Sequence, residues 1–405
     1  SLYLAGRRAL NEASYAQAAR LFERVIDRHP RSSSAPDAFY WAALARQQAG
    51  GRSNLEEAER LLRRQAELHA NARTRREAEV LLTRIQGELA RGGSASAAEN
   101  VTRSASAGGQ ACGTDQDNEL RLAALNALLQ MDSDRALPVL RQVLERRDAC
   151  SVELRRKAVF LVSQKRGADV EAVLLSAARN DPDAEVRSQA VFWLSQVNTE
   201  TAVTALDSIL MGARDRELQD KAIFALSQQR SARAGEILRR FIERADAPDE
   251  LKAQAIFWLG QRRSPENVAY LKEIYPRLTS HELKDKVIFS ISQMRGEESG
   301  RWLLEVANNP NESMELRKQA LFWAGQKNDF PVGGLVRLYD TINTRELQEQ
   351  LIFVFSQRRE AEAVDKLMAI AETDGDEELR KKALFWLGQS KDPRIVDFLL
   401  RLINR

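Results

Sequence analysis

Few residues of this 405-residue chain could carry out catalysis or bind a metal. The three histidines, His29, His69 and His281, are too few for a histidine-rich metal site. The chain has no phosphate-binding glycine loop, dinucleotide-binding fingerprint, CxxC motif or nucleophile elbow. Paired acids such as Asp376 and Glu377 stand where helices are predicted to begin, and there a solvated helix end is the favoured interpretation. We therefore expect no active site, no metal and no cofactor.

The two cysteines, Cys112 and Cys150, could form one disulfide in an oxidising compartment or remain inert thiols in the cytosol. Both precede successive predicted helices, and we predict a disulfide that contributes about 3 to 4 kcal/mol in the chain-entropy model. The chain opens at Ser1 without a methionine, which suggests a trimmed chain or a removed signal peptide. Together these features favour a periplasmic or secreted protein over a cytoplasmic one.

Neither the net charge nor the hydropathy of the chain favours nucleic acid or a membrane as its partner. The 61 basic and 58 acidic residues leave a formal charge of +3, so no strong field selects nucleic acid or an anionic membrane. No run approaches the 18 or so consecutive apolar residues that a membrane span requires. The sequence predicts a soluble protein and leaves its oligomeric state open.

The clearest pattern is an eight-residue segment that recurs every 31 to 33 residues. It reads QAVFWLSQ, KAIFALSQ, QAIFWLGQ, KVIFSISQ, QALFWAGQ, QLIFVFSQ and KALFWLGQ, and it ends at Gln196, Gln228, Gln261, Gln293, Gln326, Gln357 and Gln389. Such a period is the signature of stacked units that bury their apolar faces against their neighbours. We predict an all-α solenoid of about nine helix pairs over residues 118–405, with repeats of 31–34 residues.

Charged residues mark both ends of the second helix in each predicted pair. A glutamate precedes the first apolar residue, where an anion complements the helix N-terminus. Just after the glutamine, cations suit the C-terminus; they are Arg166, Arg230, Arg263, Arg295 and Arg359. We interpret these charges as helix-end electrostatics in preference to binding sites.

Aromatic and amide residues form a stripe along the second helices. Phenylalanine stands six residues after the first apolar residue, at Phe160, Phe192, Phe224, Phe257, Phe289, Phe322, Phe353 and Phe385. Tryptophan follows it in alternate repeats, at Trp193, Trp258, Trp323 and Trp386, so the true period is about 64 residues. The glutamine lies four residues after each phenylalanine, and neighbours at this spacing share one helix face.

Two interpretations of the stripe remain open. The phenylalanines could wedge between successive second helices while the glutamines bridge backbone groups from repeat to repeat. Alternatively, tryptophan and glutamine could line a concave groove that binds an extended peptide. In that groove the amide would engage the backbone, and the ring would hold an aliphatic or cationic side chain.

The segments DAEVRSQAVFWLSQ and EELRKKALFWLGQ resemble the second helix of a HEAT repeat, of the variant also found in phycobilisome lyases. The stripe resembles the tryptophan and asparagine array of armadillo-repeat proteins. The HEAT resemblance implies the fold and leaves the function open, because that family includes scaffolds, lyases, a hydroxylase and DNA glycosylases. The hydroxylase uses several His-Glu pairs, whereas this chain has only His281-Glu282.

Residues 1–90 form a separate predicted module. Gly6, Ala18, Phe22 and Pro30 stand at the spacing of a tetratricopeptide repeat, which this segment resembles. Residues 91–117 are rich in glycine, alanine and serine and have almost no large apolar side chain, so we predict a flexible linker.

The sequence therefore predicts a non-catalytic scaffold that binds a protein or an extended peptide along the stripe. One alternative is a nucleic-acid binder that uses Lys157, Lys221, Lys286 and Lys382 on phosphates. The other is an enzyme of the lyase type, although no residue pattern specifies its pocket.

Overall fold

A computed structural model describes residues 1–106, 115–165 and 167–404. In these ranges the chain forms α-helices and no β-strand, with short 3-10 turns at Ala149–Ser151 and Tyr275–Arg277. The helices are α1 Leu2–Asn11, α2 Tyr15–Arg28, α3 Ala35–Ala49, α4 Arg52–Leu68, α5 Arg75–Arg91, α6 Ala95–Ser106, α7 Asp115–Leu128, α8 Ser133–Leu144, α9 Val152–Ser163, α10 Ala168–Asn180, α11 Ala184–Leu194, α12 Glu200–Gly212, α13 Arg216–Gln228, α14 Ala232–Ile242, α15 Asp249–Gln261, α16 Pro265–Ile274, α17 His281–Ser292, α18 Glu297–Asn308, α19 Met314–Gln326, α20 Val332–Thr341, α21 Arg345–Gln357, α22 Ala361–Thr373, α23 Glu377–Gln389 and α24 Arg394–Ile403.

The chain divides into two compact units, Ser1–Ile209 and Leu210–Arg405. This boundary falls inside the repeats and not at the predicted end of the N-terminal module. In the first unit, α1 to α5 pack in chain order, each on the next. Ala18 and Phe22 are fully buried there, and a Cβ on Gly6 would lie 2.9 Å from the ring of Phe22. The tetratricopeptide resemblance of this segment stays a prediction.

Part of the predicted linker is helical. Helix α6 packs against α5, α7 and α8 and buries Ala97, Ala98, Val101 and Ala105. Alanine favours helix and can be buried without a large side chain, so a composition poor in large apolar residues did not prevent packing. Helix α6 therefore stands as the first helix of the pair that α7 completes, whereas residues 107–114 lie outside the described ranges.

The second helices of the pairs are α7, α9, α11, α13, α15, α17, α19, α21 and α23. Their shared apolar face forms the core: in α15, Leu251, Ala255 and Leu259 are all buried. Several begin at a side chain that accepts a hydrogen bond from a free helix amide, as Asp215 does from the amide of Leu218. The prediction of an all-α solenoid is confirmed.

Buried cations tie each of several second helices to the one before it. The Nζ atom of Lys165 donates to the carbonyl oxygens of Leu129 and Met131, at 2.9 and 2.6 Å. In the second unit, Arg358 donates to the carbonyl oxygens of Gly325, Lys327 and Phe330, at 3.1, 2.7 and 2.8 Å. Lys327 makes the same kind of contact to Met294, and the half-buried Arg262 to Leu226 and Ser231.

These cations directly follow the glutamine that recurs in each repeat. They lie one residue before the position of the arginines that the sequence analysis interpreted as helix-end charges. Those arginines, Arg230, Arg263, Arg295 and Arg359, are exposed, and Arg166 lies outside the described residues. Burial lowers the pKa of the Lys165 ammonium and of the Arg262 guanidinium. These cations thus add charged donors to carbonyl groups at and just after the C-terminal ends of the preceding second helices.

Candidate functional site: an aromatic and amide stripe on the second helices

The predicted stripe lies on a partly exposed face of the second helices. Phe160, Phe192 and Phe385 are 39, 42 and 60% exposed, which is unusual for phenylalanine. The remaining stripe phenylalanines, Phe224, Phe257, Phe289, Phe322 and Phe353, are half-buried, and so are all four tryptophans. The tryptophans are therefore not core residues, and their rings keep some surface toward solvent.

In the first unit the stripe is a three-ring cluster. Trp193 lies edge-on to Phe192 of its own helix, with ring centroids 5.1 Å apart, and to Phe160 of α9, at 6.1 Å. The Lys157 ammonium lies 5.2 Å from the centroid of the Phe160 ring, within cation–π distance.

In the second unit the rings form a continuous path across four helices. Trp258 lies edge-on between Phe224 and Phe257, at 5.3 and 5.1 Å. Phe257 stacks on Phe289 at 6.3 Å with 14° between the ring planes. Trp323 then lies edge-on between Phe289 and Phe322, at 5.2 Å from each.

A separate cluster of the same form ends the array. Trp386 lies edge-on to Phe353 and Phe385, with centroids 5.5 and 5.2 Å apart. Edge-to-face pairs at these distances are the favoured arrangement of aromatic rings. Each tryptophan is therefore held by one phenylalanine from its own helix and one from the preceding second helix.

Tryptophan alternates with smaller residues because the interfaces without tryptophan, between α15 and α17 and between α19 and α21, are closely packed. A Cβ on Gly260 of α15 would lie 2.6 Å from the Cβ of Ser290 in α17. A Cβ on Gly325 of α19 would lie 2.5 Å from Cγ1 of Val354 in α21. Ser290 and Val354 occupy the tryptophan position of their helices, so a tryptophan there would collide with the preceding helix. Interfaces that contain tryptophan thus alternate with interfaces closed by glycine.

The glutamines fall into two groups that differ in the preceding residue, serine or glycine. Where serine precedes the glutamine, the amide donates to that serine hydroxyl, as Gln228 does to Ser227 and Gln293 to Ser292, at 3.0 and 3.1 Å. The same bond occurs at Gln164, Gln196 and Gln357. Where glycine precedes it, the amide has no hydrogen-bond partner in the described part of the chain; these residues are Gln261, Gln326 and Gln389. All three are exposed.

The role of bridging successive repeats therefore belongs to the cations Lys165, Arg262, Lys327 and Arg358, which the sequence interpretation missed. One polar atom of the stripe is also unsatisfied. The indole nitrogen of Trp323 is buried and has no hydrogen-bond partner among the described residues.

Other candidate sites receive little support. Within the described residues, no group of three or more histidine, cysteine or acidic side chains could hold a metal. A cavity of about 420 Å³ lies between α18 and α20, lined by residues such as Arg301, Phe330 and Arg337, and none of its lining residues belongs to the stripe. No described helix is long and apolar enough to cross a membrane. Cys150 is disulfide-bonded, and its predicted partner Cys112 lies outside the described residues.

Comparison with known proteins identifies the repeats. The family described as HEAT repeats matches residues 146–227 and 171–248. Among solved structures, an engineered protein is 13% identical, with 92% of this chain and 98% of that chain covered and a TM-score of 0.36. Importin beta is 12% identical, with 91 and 59% covered and a TM-score of 0.44. The complex of CpcE and CpcF of phycocyanin lyase from Nostoc sp. PCC7120 is 16% identical, with 57 and 94% covered and a TM-score of 0.31.

The search of curated proteins gave no match. The family match covers the helices α9 to α14 entirely, and a similar helix pair recurs on both sides of it. Residues 146–248 therefore match HEAT repeats directly, and the helix pairs on both sides are consistent with the same repeat.

Proposed function

We propose that this protein is a non-catalytic scaffold that binds an extended segment of a protein partner along the stripe of the second unit. The observation that carries the proposal is the continuous ring path from Phe224 to Phe322, with rings that stay partly exposed. Aromatic rings of this kind supply large contact areas at protein interfaces. The unengaged amides of Gln261 and Gln326 lie beside that path and offer both a donor and an acceptor to a peptide backbone.

The spacing of the rings sets the length of the bound segment. The steps from Trp258 to Phe257, Phe289 and Trp323 are 5.1, 6.3 and 5.2 Å, so the two tryptophans are at most about 17 Å apart. An extended chain advances about 3.3 Å per residue. About five ligand residues therefore separate side chains that contact successive tryptophans.

The test is recovery of the native complex with a stripe variant. We expect the wild-type chain to retain its partner in a pull-down and the variant with Trp258→Ala and Trp323→Ala to lose it. Trp302→Ala is the matched control, because Trp302 lies on the first helix α18 and contacts Tyr275 at 5.1 Å, away from the stripe. Equal recovery with the stripe variant and the control would refute the proposal.

Salt dependence separates this function from nucleic-acid binding. One of the four lysines predicted for phosphate contact, Lys382, is already paired with Glu349 at 2.5 Å. Binding by rings and amides should persist between 50 and 200 mM salt, whereas phosphate contacts are lost steeply over that range. A loss of affinity of about a hundredfold or more over that range, as contacts to about four phosphates predict, would favour the nucleic-acid alternative.

A further inference from the structure

A carboxylate stands one helical turn before the stripe phenylalanine in three helices of the second unit. Asp220, Asp285 and Glu349 each precede Phe224, Phe289 and Phe353 by four residues, so the carboxylate and the ring share a helix face. In each case the tryptophan of the next second helix lies against that ring. Three sites of the same composition therefore recur, each with one carboxylate, two phenylalanines and one tryptophan.

The last of these sites is occupied by a cation of the chain itself. Lys382 of α23 reaches back to Glu349 of α21, with Nζ 2.5 Å from Oε2. Lys382 lies four residues before Trp386, so its ammonium sits one turn from that aromatic cluster. The chain thus shows what fits this combination of carboxylate and rings.

The other two sites lack this cation. Gln254 and Gln319 stand at the Lys382 position of α15 and α19. Asp220 and Asp285 are half-buried, and neither has an ion pair or a hydrogen bond in the described ranges. The lysines that follow them, Lys221 and Lys286, occupy in their own helices the position from which Lys382 pairs with Glu349.

We propose that these two sites bind two cationic side chains, arginine or lysine, carried about five residues apart on the extended partner segment. This inference rests on the proposed function and adds the chemistry of the ligand. A cation there pairs with the carboxylate, as Lys382 does with Glu349, and its aliphatic stem packs on the rings of Phe224 and Trp258 or of Phe289 and Trp323. The neutral amides of Gln254 and Gln319 leave each carboxylate to the ligand.

The test uses the full chain and a twelve-residue synthetic peptide, uncharged apart from two arginines five residues apart. The control peptide carries citrulline, which keeps the shape of arginine and removes its charge. Calorimetry should show about tenfold weaker binding of the citrulline peptide, from two partly exposed ion pairs beside aromatic rings. The variant with Asp220→Asn and Asp285→Asn should bind both peptides equally, while Asp397→Asn on α24 should keep the preference.

A second pair of variants tests the filled site directly. Gln254→Lys with Gln319→Lys should supply internal cations and weaken the arginine peptide by about the same tenfold factor. Lys382→Gln should open the third site and tighten binding of a peptide with three arginines at the same spacing. Gln254 and Lys382 are exposed and Gln319 is half-buried. A long lysine side chain at position 319 can keep its ammonium group in solvent, so folding should be retained.

Equal affinity for the arginine and citrulline peptides, or no measurable binding of either, would overturn this inference. So would an unchanged preference in the variant with Asp220→Asn and Asp285→Asn. If that variant still retains the native partner while Trp258→Ala with Trp323→Ala loses it, the scaffold function stands and only the cationic ligand is refuted.

Discussion

Glycine occupies the same position, two residues after tryptophan, in α15, α19 and α23, but its surroundings differ. A Cβ would lie 2.6 Å from Ser290 at Gly260 and 2.5 Å from Val354 at Gly325, whereas nothing lies within 4 Å of Gly388. Alanine favours a helix over glycine by roughly 0.5 to 1 kcal/mol. Overpacking a closed interface costs about 1 to 3 kcal/mol. We therefore expect Gly388→Ala to raise the free energy of unfolding slightly and Gly260→Ala and Gly325→Ala to lower it by about 1 to 2 kcal/mol.

The assay is urea denaturation of the three single variants, followed by circular dichroism. Gly260→Ala should be the more costly, because its clash is with the Cβ of Ser290, which no side-chain rotation can move. The double variant with Gly260→Ala and Ser290→Gly should recover most of the loss, as expected for residues in direct contact. If all three single variants gain stability equally, the helices can separate freely, and close contact does not explain the alternation of tryptophan with small residues.

Three further predictions follow from the contacts described above. Arg358→Met should lower the free energy of unfolding by about 3 to 5 kcal/mol, because three carbonyl groups lose a charged donor; a loss below about 1 kcal/mol in urea denaturation would contradict its bridging role. Trp258→Ala with Trp323→Ala should cost less per residue than the roughly 3 to 5 kcal/mol of a truncated core aromatic, since both rings are half-buried; the same denaturation measures it, and a core-sized loss would place the rings in the core. Thiol titration of natively purified, denatured protein should find no free thiol, whereas two free thiols would refute the predicted Cys112–Cys150 disulfide.

The repeat period made the stripe predictable to the residue, because each repeat places the same position in the same surroundings. The cations that bridge successive second helices were not predictable in this way. Lys165, Arg262, Lys327 and Arg358 differ in type, and the equivalent residues in other repeats are Val197, Gln229, Met294 and Ser390. Their position therefore shows no periodic residue type. The exposed arginines one position later recur more regularly, so the sequence analysis assigned the role at the helix C-terminus to them.

Two other differences have separate physical causes. Helix α6 was missed because small alanine side chains can pack closely without the large apolar residues by which a core is recognised. The partial burial of the tryptophans was left open because a side chain's exposure depends on its neighbours in the preceding helix. Those neighbours are the phenylalanines, whose contacts become visible only when successive helices are placed side by side.

The alternating interfaces also restrict how such an array can change its length. Removing one helix pair, α16 with α17, would set Gly260 opposite Trp323, where a small residue belongs. Removing two pairs, α16 to α19, would set Gly260 opposite Val354, which already packs against a glycine in α19. Shortening by an even number of pairs should therefore preserve a folded array, and shortening by an odd number should not. The smallest length that this array can lose while its interfaces stay matched is accordingly about 64 residues, twice the length of the repeat that defines its fold.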